Sequence, residues 1–197
     1  MKFNKFPLLE IILSIVGVFV SVVIFVLIQV AGKVEHSSTG PSPLAIIELV
    51  TFVLMISALS SRKAVFTKIV SIISLANLVG ASFITAIVCS VEFQSYKISW
   101  DTIAFLAISI ISLVAVILYF IYFLIGRKGT LRIICKVTNF FSLGFLAIFA
   151  ILLFVSAFAG TYSKQPLYAI EMGLLLVNAC VFLVLQLLLQ KTLIYEE

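Results

Sequence analysis

The hydrophobic positions of the chain run together in long blocks that are separated by short polar segments. These blocks are apolar throughout, without the period-two alternation of a half-buried strand. A bilayer core about 30 Å thick is crossed by about 20 apolar residues in helical form. The pattern therefore predicts six transmembrane helices, at about residues 7–31, 43–60, 69–91, 102–125, 137–159 and 166–189.

The segments between these blocks are too short to hold another domain. None is longer than 11 residues, so residues 1–197 are predicted to form a single all-α polytopic membrane domain. The six helices should pair as three outward-pointing hairpins. The first block has about 24 apolar residues, which exceeds the 7–15 of a signal peptide, and it is expected to remain as a membrane anchor.

Composition supports the membrane class and excludes several others. Hydrophobic residues make up 63% of the chain and charged residues 11%, against about 45–50% and about 25% in soluble domains. Too little charge is present to cover the surface of a soluble domain of this size. The same composition excludes a disordered chain and a nucleic-acid-binding module. The three cysteines have neither disulfide-framework nor metal-site spacing.

The basic residues predict the orientation. Cytoplasmic loops carry an excess of Lys and Arg, and ten of the 13 basic residues fall on one side of the predicted membrane. Both termini are therefore expected in the cytoplasm, with the basic rim facing anionic lipid headgroups. The Ile-, Phe- and Lys-rich usage suggests an AT-rich bacterial genome and hence the plasma membrane. The ten residues are Lys2, Lys5, Arg62, Lys63, Lys68, Arg127, Lys128, Arg132, Lys136 and Lys191.

A short pattern occurs twice, just before the second and the sixth predicted spans. The sequence P-L-x-x-I-E covers residues 43–48 and again 166–171. Duplicated hairpins are common in membrane folds, so residues 1–60 and 132–190 are interpreted as a hairpin repeat. Chance is the alternative, because an alphabet of few apolar letters produces matches easily.

The two glutamates of this pattern, Glu48 and Glu171, are the leading functional candidates. Each lies about five residues into its helix, at a depth of roughly 7–8 Å. An acid within a span is costly and points to function. One hypothesis has both carboxylates lining an outward-facing cavity for a cationic or hydrogen-bonding solute or for protons. The other has them reaching the outer headgroups near the positive helix N-termini.

Three further polar residues could belong to such a ligand-binding site. Asn178 follows Glu171 by seven positions and shares its helix face. Thr51 lies about one turn below Glu48 and could hydrogen-bond its carboxylate. Asn77 lies on a face of small and polar residues in the third span. The alternative for all of them is helix–helix packing, in which small residues and amides bridge neighbouring helices.

Signals for an enzyme, a metal site or a cofactor are missing from the sequence. No common hydrolase, zinc-protease or nucleotide-binding motif occurs. The single histidine, His36, lies in a loop, and the single aspartate, Asp101, is expected to begin a helix. We therefore expect no catalytic residues, no metal and no cofactor.

Two functional hypotheses from different classes remain. The favoured one is a small integral membrane protein that acts through helix contacts, as a non-catalytic accessory, regulatory or immunity-type protein with a membrane-protein partner. It predicts packed polar faces and glutamates exposed at the rim. The alternative is a solute-binding or transport component with an outward-facing polar site around Glu48 and Glu171.

Overall fold

The computed structural model describes residues 2–3, 5–34, 43–95, 100–125, 129–159 and 166–194. Within these residues the chain forms six long α-helices and two very short β-strands. The helices are α1 (Leu8–Val34), α2 (Pro43–Ser60), α3 (Ala64–Ser95), α4 (Trp100–Ile125), α5 (Gly129–Phe158) and α6 (Pro166–Thr192), and the strands are β1 (Lys2–Phe3) and β2 (Leu193–Ile194).

The helices confirm the all-helical class that the sequence predicts, and their length and apolar composition fit a multi-pass membrane protein. In the described part of the chain, five of them are long and apolar enough to cross a bilayer, and α2 contributes a shorter apolar stretch, Ala45–Ser60. The six-span count and the sidedness of the termini stay predictions. The five longer stretches are Leu8–Val30, Ala64–Phe83, Leu106–Ile125, Gly129–Phe158 and Ala169–Leu189.

Helix α5 begins about eight residues before the predicted span, at Gly129. The extra turns carry Arg132 and Lys136. These charged residues lower the mean hydropathy of the segment, so the sequence pattern did not include it in the span. Long basic side chains near a helix end can lay their apolar stems along the helix and keep their charge at the headgroups. The backbone of these turns therefore remains helical beyond the apolar core.

The chain divides into two compact units. The first consists of Met1–Asn77 and Val177–Glu197, and the second of Leu78–Leu176. In the first unit α1 packs against α2, and in the second α4 packs against α5. Helices α3 and α6 each contribute residues to both units.

The buried face of α1 is made largely of small and polar residues. Glu10, Ser14, Gly17 and Ser21 follow one another at spacings of three and four and are all buried. The hydroxyls of Ser14 and Ser21 donate to the carbonyls one turn earlier, at 2.8 and 2.9 Å. Because these residues are small, α2 can approach α1 closely.

In the second unit, α5 has a buried face with the same helical spacing. Along it lie Asn139, Ser142, Leu146, Phe149 and Leu153, all at most 4% exposed. The opposite face of α5 is apolar and exposed, as expected of a helix that faces lipid. The second unit is thus held together along one face of α5.

Both ends of the chain lie together in the first unit. Strands β1 and β2 are antiparallel, with Lys2 opposite Ile194 and Phe3 opposite Leu193. The guanidinium of Arg62, in the turn between α2 and α3, lies 5.2 Å from the centroid of the Phe6 ring. The described residues next to both termini therefore lie at the same end of this unit as that turn.

This pairing predicts a specific disulfide. In a variant without the three native cysteines, Lys2→Cys and Ile194→Cys are expected to cross-link rapidly under mild oxidation. Directly opposed antiparallel residues have Cα atoms about 4.5–5.5 Å apart, within the range for a disulfide. Gel mobility of the oxidised protein measures the cross-link. Ile12→Cys with Ile194→Cys is the control, and equal cross-linking of both pairs would contradict the strand register.

Candidate functional site

Glu48 lies on the inward face of α2. Pro43 begins this helix, which suits proline because the first turn needs no backbone N–H. The buried positions Ala45, Glu48, Phe52 and Met55 then recur at spacings of three and four, which defines one helix face. Glu48 is only 6% exposed, so its side chain points into the first unit.

Asn178 of α6 joins Glu48 to α1. Its amide nitrogen Nδ2 donates to Glu48 Oε2 at 2.9 Å and to Ser21 Oγ at 2.8 Å. Ser21 in turn donates to the carbonyl of Gly17. The three side chains of Ser21, Glu48 and Asn178 come from three helices and are called the Glu48 cluster below.

The amide oxygen of Asn178 is a buried atom of the Glu48 cluster that lacks a hydrogen bond. Asn178 is 1% exposed, and its amide oxygen Oδ1 has no hydrogen-bond partner in the part of the chain that the structure describes. A buried polar atom without a partner costs about 1–3 kcal/mol. The contact between the three helices therefore uses the donor end of this amide and leaves its acceptor end without a partner among the described residues.

The electrostatic setting of Glu48 is unusual for an acid. Among the described residues, its hydrogen-bond partner is the neutral amide of Asn178, and no lysine or arginine pairs with it there. A carboxylate buried without a counter-charge is strongly disfavoured in an apolar medium. An ionised Glu48 would therefore need a positive charge beside it, whereas a protonated Glu48 would need none.

An aromatic pair lies one turn further along the same helices. Phe52 follows Glu48 by four residues and Phe182 follows Asn178 by four, and their rings meet edge to face with centroids 6.4 Å apart. Both rings are buried. This pair forms an apolar layer beside the Glu48 cluster.

A second polar contact lies further along α6. Gln186 Nε2 donates to Ser71 Oγ of α3 at 3.0 Å, and both residues are 2% exposed. Gln186 lies eight residues after Asn178, roughly 12 Å along the helix axis. Among the described residues of the first unit, the aromatic pair thus lies between the Glu48 cluster and the Gln186–Ser71 contact.

The other predicted site residues take different positions. Thr51 is buried, but its hydroxyl donates to the Ile47 carbonyl of its own helix and so does not donate to Glu48. Asn77 is half-buried and is not among the described hydrogen-bond partners of Glu48. Glu171 is half-buried and belongs to the second unit. The structure therefore joins Glu48 with Asn178 and leaves the roles of the other three as predictions.

Ser21 is the one member of the Glu48 cluster that the sequence reasoning missed. A single serine in an apolar helix is common and carries little information. The sequence feature that could have identified Ser21 is the spacing of Ser14, Gly17 and Ser21 along one face of α1, which indicates a close contact with another helix. That spacing indicates an interface, but not which polar group lies across it.

Within the described ranges, no group of three His, Cys, Asp or Glu side chains could hold a metal ion. His36 lies outside those ranges. No protein-family model, curated protein or solved structure matches the chain. The chemistry of the Glu48 cluster is therefore the basis for a functional proposal.

Proposed function

We propose that the protein is a non-enzymatic integral membrane component that binds a small cationic or hydrogen-bonding solute at the Glu48 cluster, for storage, sensing or transport. The observation that supports this proposal is the buried carboxylate of Glu48, which contacts a neutral amide. A purely structural role would be served as well by apolar residues of similar volume, because buried polar pairs are often no more stable than an apolar replacement.

The placement of the Glu48 cluster also suits solute binding. Ionisable residues inside membrane helices commonly mark ligand or ion pathways. Glu48 is about five residues from the start of α2, roughly 7–8 Å along the axis, so a solute would cross a short distance from that membrane surface. With both termini cytoplasmic, as proposed, this surface is the external face of the plasma membrane.

A second candidate function is that of an accessory, regulatory or immunity-type protein that acts through helix contacts. It is supported by an apolar groove of about 290 Å³ on α5. Gly144 lies in this groove, and a Cβ atom added there would meet no atom within 4 Å. An exposed glycine between aromatic residues lets the backbone of a partner transmembrane helix approach closely. The groove is lined by Phe140, Phe141, Gly144, Phe145 and Ile148.

Native mass spectrometry of the gently extracted protein tests both proposals. We expect the wild-type protein to retain a stoichiometric small molecule or ion that Glu48→Gln loses. Glu10→Gln is the matched control, because Glu10 is also a buried acid of the first unit but lies outside the Glu48 cluster.

Two results would overturn solute binding at the Glu48 cluster: no bound species in the wild type, or a species that Glu48→Gln retains. A co-purifying membrane protein that is lost in Gly144→Leu, with Glu48→Gln unaffected, would instead support the accessory function. Folding of each variant is checked by its elution on size exclusion.

A further inference from the structure

The exposed face of α5 combines the apolar groove with two basic residues near the start of the helix. The groove, called the Gly144 groove below, has a volume of about 290 Å³ and is lined by Phe140, Phe141, Gly144, Phe145 and Ile148. We propose that it holds one acyl chain of an anionic phospholipid whose phosphate lies against Arg132 and Lys136. This inference goes beyond the proposed function and does not depend on Glu48.

Apolar side chains form the walls of the Gly144 groove, and the glycine leaves it open. Phe140, Phe141 and Ile148 are each at least half exposed. The rings of Phe141 and Phe145 stack with their centroids 6.5 Å apart, which makes one wall aromatic. A Cβ atom added to Gly144 would meet no atom within 4 Å. The groove therefore offers a slender apolar group contacts that the smooth side of a helix does not.

The two basic residues continue the row of side chains that runs through the groove. Arg132, Lys136 and Phe140 follow one another at intervals of four, and the same interval leads on to Gly144 and Ile148. Side chains spaced in this way form one ridge on a helix, inclined by roughly 26° to its axis. A lipid that lies along this ridge would contact the cations with its headgroup and the groove with its chain.

The distances along α5 match the dimensions of a phospholipid in a bilayer. Lys136 precedes Phe140 by four residues, roughly 6 Å along the axis. The headgroup region is about 5–8 Å thick on each side of the hydrocarbon core. The groove then extends from Phe140 to Ile148, roughly a further 12 Å. A phosphate beside Lys136 would therefore place the upper part of an acyl chain in the groove.

The charge of α5 favours an anionic headgroup. The helix sequence Gly129–Phe158 contains Arg132 and Lys136 and no acidic residue. The ammonium group of a zwitterionic lipid therefore finds no carboxylate on this helix, whereas a headgroup with net negative charge is attracted by both cations. Each Lys or Arg near anionic lipid strengthens binding by roughly fivefold, and two by about 30-fold.

A second copy of this chain does not suit the Gly144 groove. Copies inserted in the same orientation would pack α5 parallel to α5, which would place the basic residues of the two copies, Arg132 and Lys136, next to one another. Like charges in a contact oppose association. A different membrane protein with acidic residues at this depth is the alternative occupant and forms a separate outcome of the test.

Native mass spectrometry of the full-length protein, titrated with lipid in detergent, measures the headgroup preference. Phosphatidylglycerol and phosphatidylcholine with identical acyl chains are the probes. The wild type is expected to bind the first phosphatidylglycerol about 30-fold more tightly. Arg132→Gln/Lys136→Gln should bind both lipids equally. Lys63→Gln/Lys68→Gln is the control, because it removes the same charge at the start of α3 and should keep the preference.

Gly144→Leu tests whether the groove holds the chain. A leucine would fill the groove, so this variant should bind both lipids more weakly than the wild type. Gly80→Leu is the matched control, because a Cβ atom added to Gly80 of α3 also meets no atom within 4 Å and Gly80 does not line the groove. Size-exclusion elution checks the folding of each variant.

Fluorescence quenching in phosphatidylcholine vesicles locates the lipid without weakening its site. The single tryptophan of the chain is Trp100, so Trp100→Phe/Phe145→Trp carries its only tryptophan in the groove. A small fraction of phosphatidylglycerol with brominated acyl chains should quench it more than the same fraction of brominated phosphatidylcholine. At Trp100→Phe/Phe158→Trp, whose tryptophan is on α5 but outside the groove, the two brominated lipids should quench equally.

Three results would overturn the inference: equal affinity of the wild type for the two lipids, a preference that survives Arg132→Gln/Lys136→Gln, or equal quenching in the groove. A membrane protein that co-purifies with the wild type, is lost in Gly144→Leu and accompanies equal lipid affinities also overturns it and supports the accessory function. Solute binding at the Glu48 cluster is judged separately, by Glu48→Gln.

Discussion

Replacing Asn178 with leucine is expected to lower the free energy of unfolding by about 1–3 kcal/mol. The substitution removes the amide that donates to both Glu48 Oε2 and Ser21 Oγ and leaves a buried carboxylate without a described partner. A buried hydrogen-bonding group that loses its partner has a cost of this size. Equilibrium unfolding of the protein in detergent micelles, titrated with sodium dodecyl sulfate, measures the change.

The double variant Glu48→Leu/Asn178→Leu distinguishes a specific interaction from a general packing defect. Two leucines suit the apolar surroundings, so the double variant is expected to recover most of the lost stability. Together with Glu48→Leu, the three variants form a double-mutant cycle. If the two single effects simply add, Glu48 and Asn178 are not energetically coupled. The hydrogen bond described between them would then not contribute to stability.

The second large effect is expected at Gly17, where α1 approaches α2. A Cβ atom added to Gly17 would lie 2.5 Å from carbons of the Phe52 ring, far inside van der Waals contact. Phe52 is 4% exposed and packs edge to face on Phe182, so its ring has little room to move. Overpacking of this kind costs about 1–3 kcal/mol. Gly17→Ala should therefore reduce stability by that amount in the same unfolding assay.

Gly144→Ala is the matched control for this prediction. Gly144 also lies within a transmembrane helix, but an added Cβ would meet no atom within 4 Å. Alanine favours the helix over glycine by about 1 kcal/mol, so this variant should be as stable as the wild type or more so. A second test is Gly17→Ala/Phe52→Leu, in which the smaller side chain should restore stability. A Gly17→Ala variant as stable as the wild type would show that α1 and α2 pack less closely than the 2.5 Å approach to Phe52 implies.

Long apolar blocks were sufficient to predict where the helices lie. Helix α2 occupies the predicted residues, Pro43–Ser60, because a proline begins it and a polar segment follows it. Helix α5 begins earlier than predicted because hydropathy cannot tell a basic helical turn at the membrane surface from a loop. The β1–β2 pair was missed because two residues are too few to form a recognisable strand pattern.

The members of the candidate site were partly predictable, but their contacts were not. Glu48 and Asn178 were identified because each is a polar residue in an apolar block, where burial is costly. Their hydrogen bond joins residues 130 positions apart, and no pattern in the sequence states which helices are neighbours. Ser21 was missed for the same reason, since its role depends on the helix that lies opposite.

The distribution of the two units along the chain has a consequence for biosynthesis. The second unit is continuous, Leu78–Leu176, whereas the first needs Val177–Glu197 to be complete. At synthesis rates of 5–20 residues per second, roughly 7–26 s separate Glu48 from Asn178 on the ribosome. During this interval Glu48 lies in the membrane, or in the insertion machinery, without the Asn178 amide as its hydrogen-bond partner. The ribosome therefore finishes the second unit before it supplies the helix segment that completes the first.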